Sequence, residues 1–79
     1  KEYAIVNLAE LEAKFAEGET VNRESLVLKG LVNKADALIK VLGDGDITKK
    51  LTVSVDKVSA SAKAKIEKAG GTVTVTGEN

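Results

Sequence analysis

The stretch that decides the fold covers residues 51–75 and reads LTVSVDKVSASAKAKIEKAGGTVTV. It opens with aliphatic residues that alternate with Thr52 and Ser54, which is the period of a strand with one buried face. It closes with a second alternation, of threonine and valine, over residues 72–75. Strong helix formers lie between the two. The stretch therefore predicts a β-α-β unit, with parallel or near-parallel strands on one sheet and a helix covering a face.

Both ends of this helix carry local signals. Ser59 is predicted to be the N-cap, because its hydroxyl can accept a hydrogen bond from an unpaired amide of the first turn. Gly70 and Gly71 follow the helix, and Gly70 can take the left-handed conformation that closes a helix. We therefore expect the helix to cover residues 60–69.

One face of the predicted helix is apolar. Ala62, Ile66 and Ala69 recur at helical spacing. This face is predicted to pack on the strand residues Val53, Val55, Val73 and Val75.

The rest of the chain predicts a small single α/β domain of element order β-α-α-β-β-α-β, with helices packed on a mixed sheet. Further strands are predicted over residues 3–6 and 38–42, and short helices after Asn7 and Asn22. Glu10 stands at the third helical position after Asn7, as in a capping box. Residues 43–46, Gly-Asp-Gly-Asp, indicate a tight hairpin turn.

Composition excludes several classes of site. The chain has no cysteine and no histidine, so we expect no disulfide, no thiolate chemistry and no zinc or copper centre. Ser59 and Ser61 have no evident base to activate them as nucleophiles. No apolar run approaches the length of a membrane span. The sequence predicts no catalytic residue, metal, cofactor, small-molecule substrate or membrane contact.

The alphabet of the sequence is reduced. Cysteine, histidine, methionine, proline, glutamine and tryptophan are all absent from the 79 residues. Proline averages about 5% of protein sequences, so its absence is improbable by chance. One hypothesis is therefore a designed or reconstructed protein.

Charge is distributed unevenly although the formal net charge is zero. Residues 1–24 carry three basic and six acidic residues, a net charge of −3, and residues 47–68 carry six lysines against two acidic residues, a net charge of +4. A solvated surface accounts for this pattern, and a modest patch that faces an anion or RNA is the alternative.

The run from residue 40 to residue 70 resembles the bacterial-type large-subunit ribosomal protein fifteen family. The resemblance is carried, with its spacing kept, by Lys40, Val41, Leu42, Gly43, Gly45, Ile47, Leu51, Val53, Val58, Ser59, Ala62, Ile66 and Gly70. Together with Gly71, the glycines, Ser59, Ala62 and Ile66 of this pattern are predicted to be structural. Weaker similarity extends upstream through residues 6–31, so the resemblance covers nearly the whole chain.

This resemblance implies the globular C-terminal half of the family's protein, without its Gly- and Arg-rich N-terminal arm. It implies a role in binding and positioning large-subunit ribosomal RNA during assembly, beside neighbouring ribosomal proteins in the cytoplasm. Positive charge makes Lys40, Lys49, Lys50, Lys57 and Lys63 the candidates for phosphate contact.

The family is usually basic where this chain has Ser54, Asp56 and Ala60, so we expect weakened RNA affinity. The alternatives are a monomeric stand-alone scaffold with no natural ligand, and a small protein-interaction module that uses a sheet face or edge.

Overall fold

A computed structural model of the chain describes residues 3–35 and 38–77. The elements in chain order are β1 (Tyr3–Asn7), α1 (Leu8–Lys14), β2 (Thr20–Val21), α2 (Arg23–Leu28), β3 (Leu38–Leu42), β4 (Thr52–Val55), β5 (Lys57–Val58), α3 (Ala60–Lys68) and β6 (Thr72–Val75). The predicted α/β class is confirmed and the predicted order broadly matches, with the short strands β2 and β5 in addition.

The strands form two three-stranded sheets, which we name sheet A (β1-β3-β5) and sheet B (β2-β4-β6). Every pairing in both sheets is parallel, so the architecture differs from the single mixed sheet that was expected. The chain crosses from sheet B to sheet A at Asp56, between β4 and β5. There the side-chain Oδ2 of Asp56 accepts a hydrogen bond from the N–H of Ile39 at 2.8 Å, so main-chain pairing with β3 begins only at the next residue.

The predicted β-α-β unit is present. β4 pairs with β6 in parallel, with Val53 opposite Val73. Ser59 caps α3 by accepting a hydrogen bond from the N–H of Ala62. Gly70 closes the helix with a φ of 94°, and the N–H of Gly71 donates to the carbonyl of Ile66 at 2.9 Å. These features at the helix end are those of a glycine-terminated Schellman motif.

The core lies between the two sheets and the helices. Ala62 and Ile66 are fully buried, whereas Ala69 and Val73 are partly buried. Val75, which was predicted to belong to the core, is instead 39% exposed, because it is the last residue of an edge strand. The core consists of Val6, Leu8, Leu11, Phe15, Val21, Leu26, Val32, Ile39, Val41, Ile47, Leu51, Val53, Val55, Ala62 and Ile66.

The hairpin predicted at residues 43–46 is wrong, because β3 and β4 belong to different sheets. Residues 43–51 instead form a segment that we name the crossover loop. The carbonyl of Asp44 accepts a hydrogen bond from the N–H of Ala9 at 3.0 Å, at the start of α1. Gly45 has a φ of 92°, so the Asp-Gly pair does mark a special backbone conformation but not a strand partner.

The two shorter helices begin where the sequence predicts. The carboxylate of Glu10 accepts a hydrogen bond from the N–H of Asn7 at 2.9 Å, as in a capping box. Asn22 caps α2 by accepting from the N–H of Ser25. A turn was also predicted over residues 33–37; residues 36 and 37 lie outside the described part of the chain.

Candidate nucleic-acid interface

Sheet A has one face toward the core and one toward solvent. Val6, Ile39 and Val41 alternate into the core, where they meet the buried residues of the helices. The residues between them point the other way, and Ile5 is 46% exposed. We name this second surface the outer face; it consists of Tyr3, Ile5, Leu38, Lys40, Leu42 and Lys57.

Two lysines stand side by side on the outer face. Lys40 of β3 and Lys57 of β5 are register partners in adjacent parallel strands. Neighbouring strands lie about 4.8 Å apart, so the two side chains leave the sheet close together. Like charges directly opposite one another repel, and an anion bound between them would remove that repulsion. The pair is therefore a candidate phosphate contact.

An aromatic ring lies beside this lysine pair. Tyr3 of β1 belongs to the same face, and the Nζ of Lys57 lies 5.9 Å from the centroid of its ring. This distance is near the outer limit of a cation–π contact. The ring, the aliphatic residues and the two ammonium groups together form a surface of mixed chemistry.

Lys49, a further candidate, is bonded within the chain. Its Nζ donates to the carbonyls of Glu12 and Phe15, each at 2.7 Å. These carbonyls lie at the end of α1, where a cation is favourable because the helix dipole is negative there. The geometry gives the Lys49 ammonium a structural contact, which a phosphate would have to replace.

The same part of the crossover loop holds Glu12. Its carboxylate accepts hydrogen bonds from the backbone N–H of Thr48 at 2.9 Å and from the hydroxyl of Thr48 at 2.6 Å. The hydroxyl bond, followed by the backbone bond, lowers the pKa of Glu12 below its ordinary value, because both favour the charged form.

The remaining candidate lysines lie on other elements. Lys50 is exposed on the crossover loop, and its backbone N–H donates to Glu17. Lys63 is exposed on α3. The structure thus brings together Lys40 and Lys57 of the five predicted residues and places the other three on different elements.

Lys65 was not singled out from the sequence, and it ties α3 to the crossover loop. Its Nζ donates to the carbonyl of Gly43 at 2.9 Å and to that of Gly45 at 3.0 Å. Beside it, an open groove of about 510 Å³ is lined by Asp46, Ile47, Thr48, Lys65, Lys68 and Ala69. Its lysines share the groove with an acidic residue and one of them is bonded to the loop, so the groove is a weaker anion site than the outer face. No local sequence signal distinguishes Lys65 from its neighbours on α3.

The glycines of the predicted structural motif lie at close approaches. A Cβ on Gly45 would stand 2.7 Å from the Cβ of Ala9, and one on Gly43 would overlap the side chain of Ser61. At Gly71 a Cβ would overlap the carbonyl oxygen of Leu51. Real Cβ atoms do not approach this closely, so these positions suit glycine for reasons of packing.

Neither a metal centre nor a membrane-spanning helix is found in the described residues. Within residues 3–35 and 38–77, no three or more histidine, cysteine, aspartate or glutamate side chains are placed to hold a metal ion. Over the same ranges, no helix is long and apolar enough to cross a bilayer.

The sequence of the whole domain matches a known family. The sequence model that matches residues 5–74 is described as that of the ribosomal proteins 50S-L15 and 50S-L18e and their counterpart in the 60S subunit. The chain belongs to this family. The suspected resemblance is thereby confirmed, and it extends over both sheets and all three helices.

Individual relatives carry the name large ribosomal subunit protein uL15. The chain is 67% identical to the one from Treponema denticola over 92% of its own length and 49% of the relative's. It is 61% identical to the one from Lactobacillus delbrueckii subsp. bulgaricus, over 95% of its own length and 51% of the relative's. The chain thus spans about half the length of these uL15 relatives. Identities of this size to proteins of named bacteria give no support to the designed-protein hypothesis.

Proposed function

We propose that this chain is a structural, non-enzymatic domain that binds large-subunit ribosomal RNA and helps to position it during assembly. Membership of a family of ribosomal proteins carries the proposal. On this proposal the domain works on the ribosome in the cytoplasm, beside other ribosomal proteins and as one half of a longer chain. The adjacent Lys40 and Lys57 on the outer face of sheet A support a phosphate contact at that place.

The charge distribution predicts weak binding by the 79 residues alone. Their formal net charge is zero, so attraction to RNA is largely cancelled beyond a Debye length of about 8–10 Å. The ammonium groups of Lys49 and Lys65 already donate to carbonyls of the chain. We therefore expect a salt dependence equivalent to about two to four phosphates, nearer the lower number.

Binding of a large-subunit RNA fragment at a series of salt concentrations tests the proposal. The double variant Lys40→Glu with Lys57→Glu should lose most of the affinity and flatten the salt dependence. Lys14→Glu with Lys34→Glu changes the net charge equally at two exposed lysines elsewhere and serves as the matched control. An equal loss in both variants would mean that only net charge matters, and an absence of salt-dependent binding in the unchanged chain would reject RNA binding by this domain.

Added positive charge should increase the affinity at two of the three positions where the family is usually basic. Ser54→Lys and Ala60→Lys lie at half-buried and exposed sites. Asp56→Lys is a poor choice, because Asp56 accepts the hydrogen bond from Ile39 and lies 3.8 Å from Arg23. Affinity that stays unchanged in the Ser54→Lys, Ala60→Lys double variant would contradict the idea of weakening by charge.

A second proposal, contact with a neighbouring ribosomal protein, is favoured by one surface of α2. Leu28 is 87% exposed beside an almost wholly apolar groove of about 270 Å³ lined by Arg23, Glu24, Val27, Leu28 and Lys34. Large exposed aliphatic side chains next to a groove are typical of protein contacts. Leu28→Glu in the full-length protein should reduce its incorporation into large subunits and leave RNA binding by the isolated domain unchanged. Normal incorporation would exclude the contact.

A further inference from the structure

The outer face of sheet A presents an aromatic ring within reach of two ammonium groups. Tyr3 lies on β1, Lys40 on the central strand and Lys57 on the opposite edge strand. The residues beside them on this face are aliphatic: Ile5, Leu38 and Leu42. The face therefore offers an apolar floor, a flat ring and a doubled positive charge.

These groups match the parts of one nucleotide. A phosphate accepts hydrogen bonds from ammonium groups, and a base stacks on an aromatic ring. In a paired duplex only the phosphates and groove edges are accessible to such a surface, since the flat faces of the bases are already stacked. An unpaired nucleotide exposes both its base and its phosphate, so it would engage both Tyr3 and the lysine pair.

We propose that the outer face of sheet A takes an unpaired nucleotide of RNA, with its base stacked on Tyr3 and its phosphate between Lys40 and Lys57. This inference rests on the proposed binding of RNA and specifies the kind of RNA segment that this site recognises. The Lys57 ammonium, now near the ring of Tyr3, is the group that moves to the phosphate.

The chain contains its own reporter for this contact. Tyr3 is the only tyrosine, and tryptophan is absent, so tyrosine emission reports on the outer face alone. A single-stranded oligoadenylate of about eight nucleotides should quench this emission as it binds. An RNA duplex with the same number of phosphates should bind through charge and leave the emission nearly unchanged.

Variants of Tyr3 separate stacking from simple packing. Tyr3→Phe keeps a ring and should bind oligoadenylate within about twofold of the unchanged chain. Tyr3→Thr keeps a β-branched residue suited to a strand but removes the ring, and it should weaken binding at least about fivefold. Thermal melts of all variants establish that each is folded, and equal affinity for the duplex is the control for charge.

The outcomes distinguish this inference from the proposed function. Salt-dependent binding of oligoadenylate without quenching, or with equal affinity for Tyr3→Thr, overturns the stacking and leaves the phosphate contact standing. Equal quenching by the duplex also overturns the proposal of an unpaired nucleotide. Binding to neither probe by the folded chain rejects both the stacking and RNA binding by this domain, and leaves the outer face to a protein partner.

Discussion

At the scale of single residues, two glycines with the same backbone conformation have different surroundings. Gly18 has a φ of 88° with nothing within 4 Å of an added Cβ, whereas Gly45 has a φ of 92° with Ala9 2.7 Å from an added Cβ. Gly18→Ala should cost about 1–2 kcal/mol for the left-handed conformation alone. Gly45→Ala should cost about 1–3 kcal/mol more, because α1 must move. Urea unfolding of both variants measures the difference, and equal losses would mean that the loop gives way freely.

Asp56 is the residue at which the chain changes sheets, and its carboxylate takes the place of a strand partner for Ile39. Asp56→Ala should destabilise the fold by about 1–3 kcal/mol, since a main-chain N–H loses its acceptor. Asp56→Asn keeps an oxygen at that position and should lose less. The ion pair with Arg23 is long, at 3.8 Å, and partly exposed, so it contributes little. An equal loss of unfolding free energy in the two variants would assign the effect to charge and not to the hydrogen bond.

At the scale of elements, α3 should derive more of its stability from packing than from its cap. Ile66→Ala should cost about 2–5 kcal/mol, because the side chain is fully buried between α3 and the sheet residues. Ser59→Ala should cost about 1 kcal/mol through the lost hydrogen bond to Ala62. Thermal melts with both variants test this order, and a cap variant less stable than the core variant would contradict it.

The elements that could be predicted from the sequence are those with local signals. The β-α-β unit has alternating strands, a serine at one helix end and paired glycines at the other, and all of these are within 25 residues. β2 and β5 were missed because each has two residues, too few to show a period. The hairpin was wrong because Asp-Gly indicates the conformation of a turn, whereas the pairing partner of a strand depends on the whole chain.

The candidate site divides in the same way. Lys40 and Lys57 were named from charge, yet their adjacency depends on strand register, which the sequence alone did not provide. The bonds of Lys49 and Lys65 to distant carbonyls connect residues more than 19 positions apart in sequence. Tyr3 was noted as a rare aromatic residue, but its place next to Lys57 required the order of strands in sheet A.

At the scale of the whole molecule, two carboxylates make stability depend on pH. The pKa of Glu12 is lowered by its bonds to Thr48, and that of Glu19 chiefly by the backbone N–H of Ala16, both from an ordinary value of 4.5. The unfolded chain therefore binds protons at a higher pH than the folded chain. The stabilisation is complete above the ordinary value and is lost as the pH falls through the lowered values.

We expect the urea midpoint to fall between neutral pH and about pH 3, and to fall less in the Glu12→Gln, Glu19→Gln double variant. Glu67→Gln removes one exposed carboxylate from α3 and is the control for net charge. If the double variant kept the full pH dependence, other carboxylates would have to be responsible.

The parallel pairing of β1 with β3 also fixes a time order when the chain is made. Tyr3 is paired with Leu38, so 35 further residues must be synthesised before the first strand has a neighbour. At about 5–20 residues per second, this interval is about two to seven seconds. During that interval the aliphatic residues of β1, including Val6, have no partner strand and are exposed to chaperones and to other nascent chains. The domain cannot begin to form sheet A until β3 has left the exit tunnel.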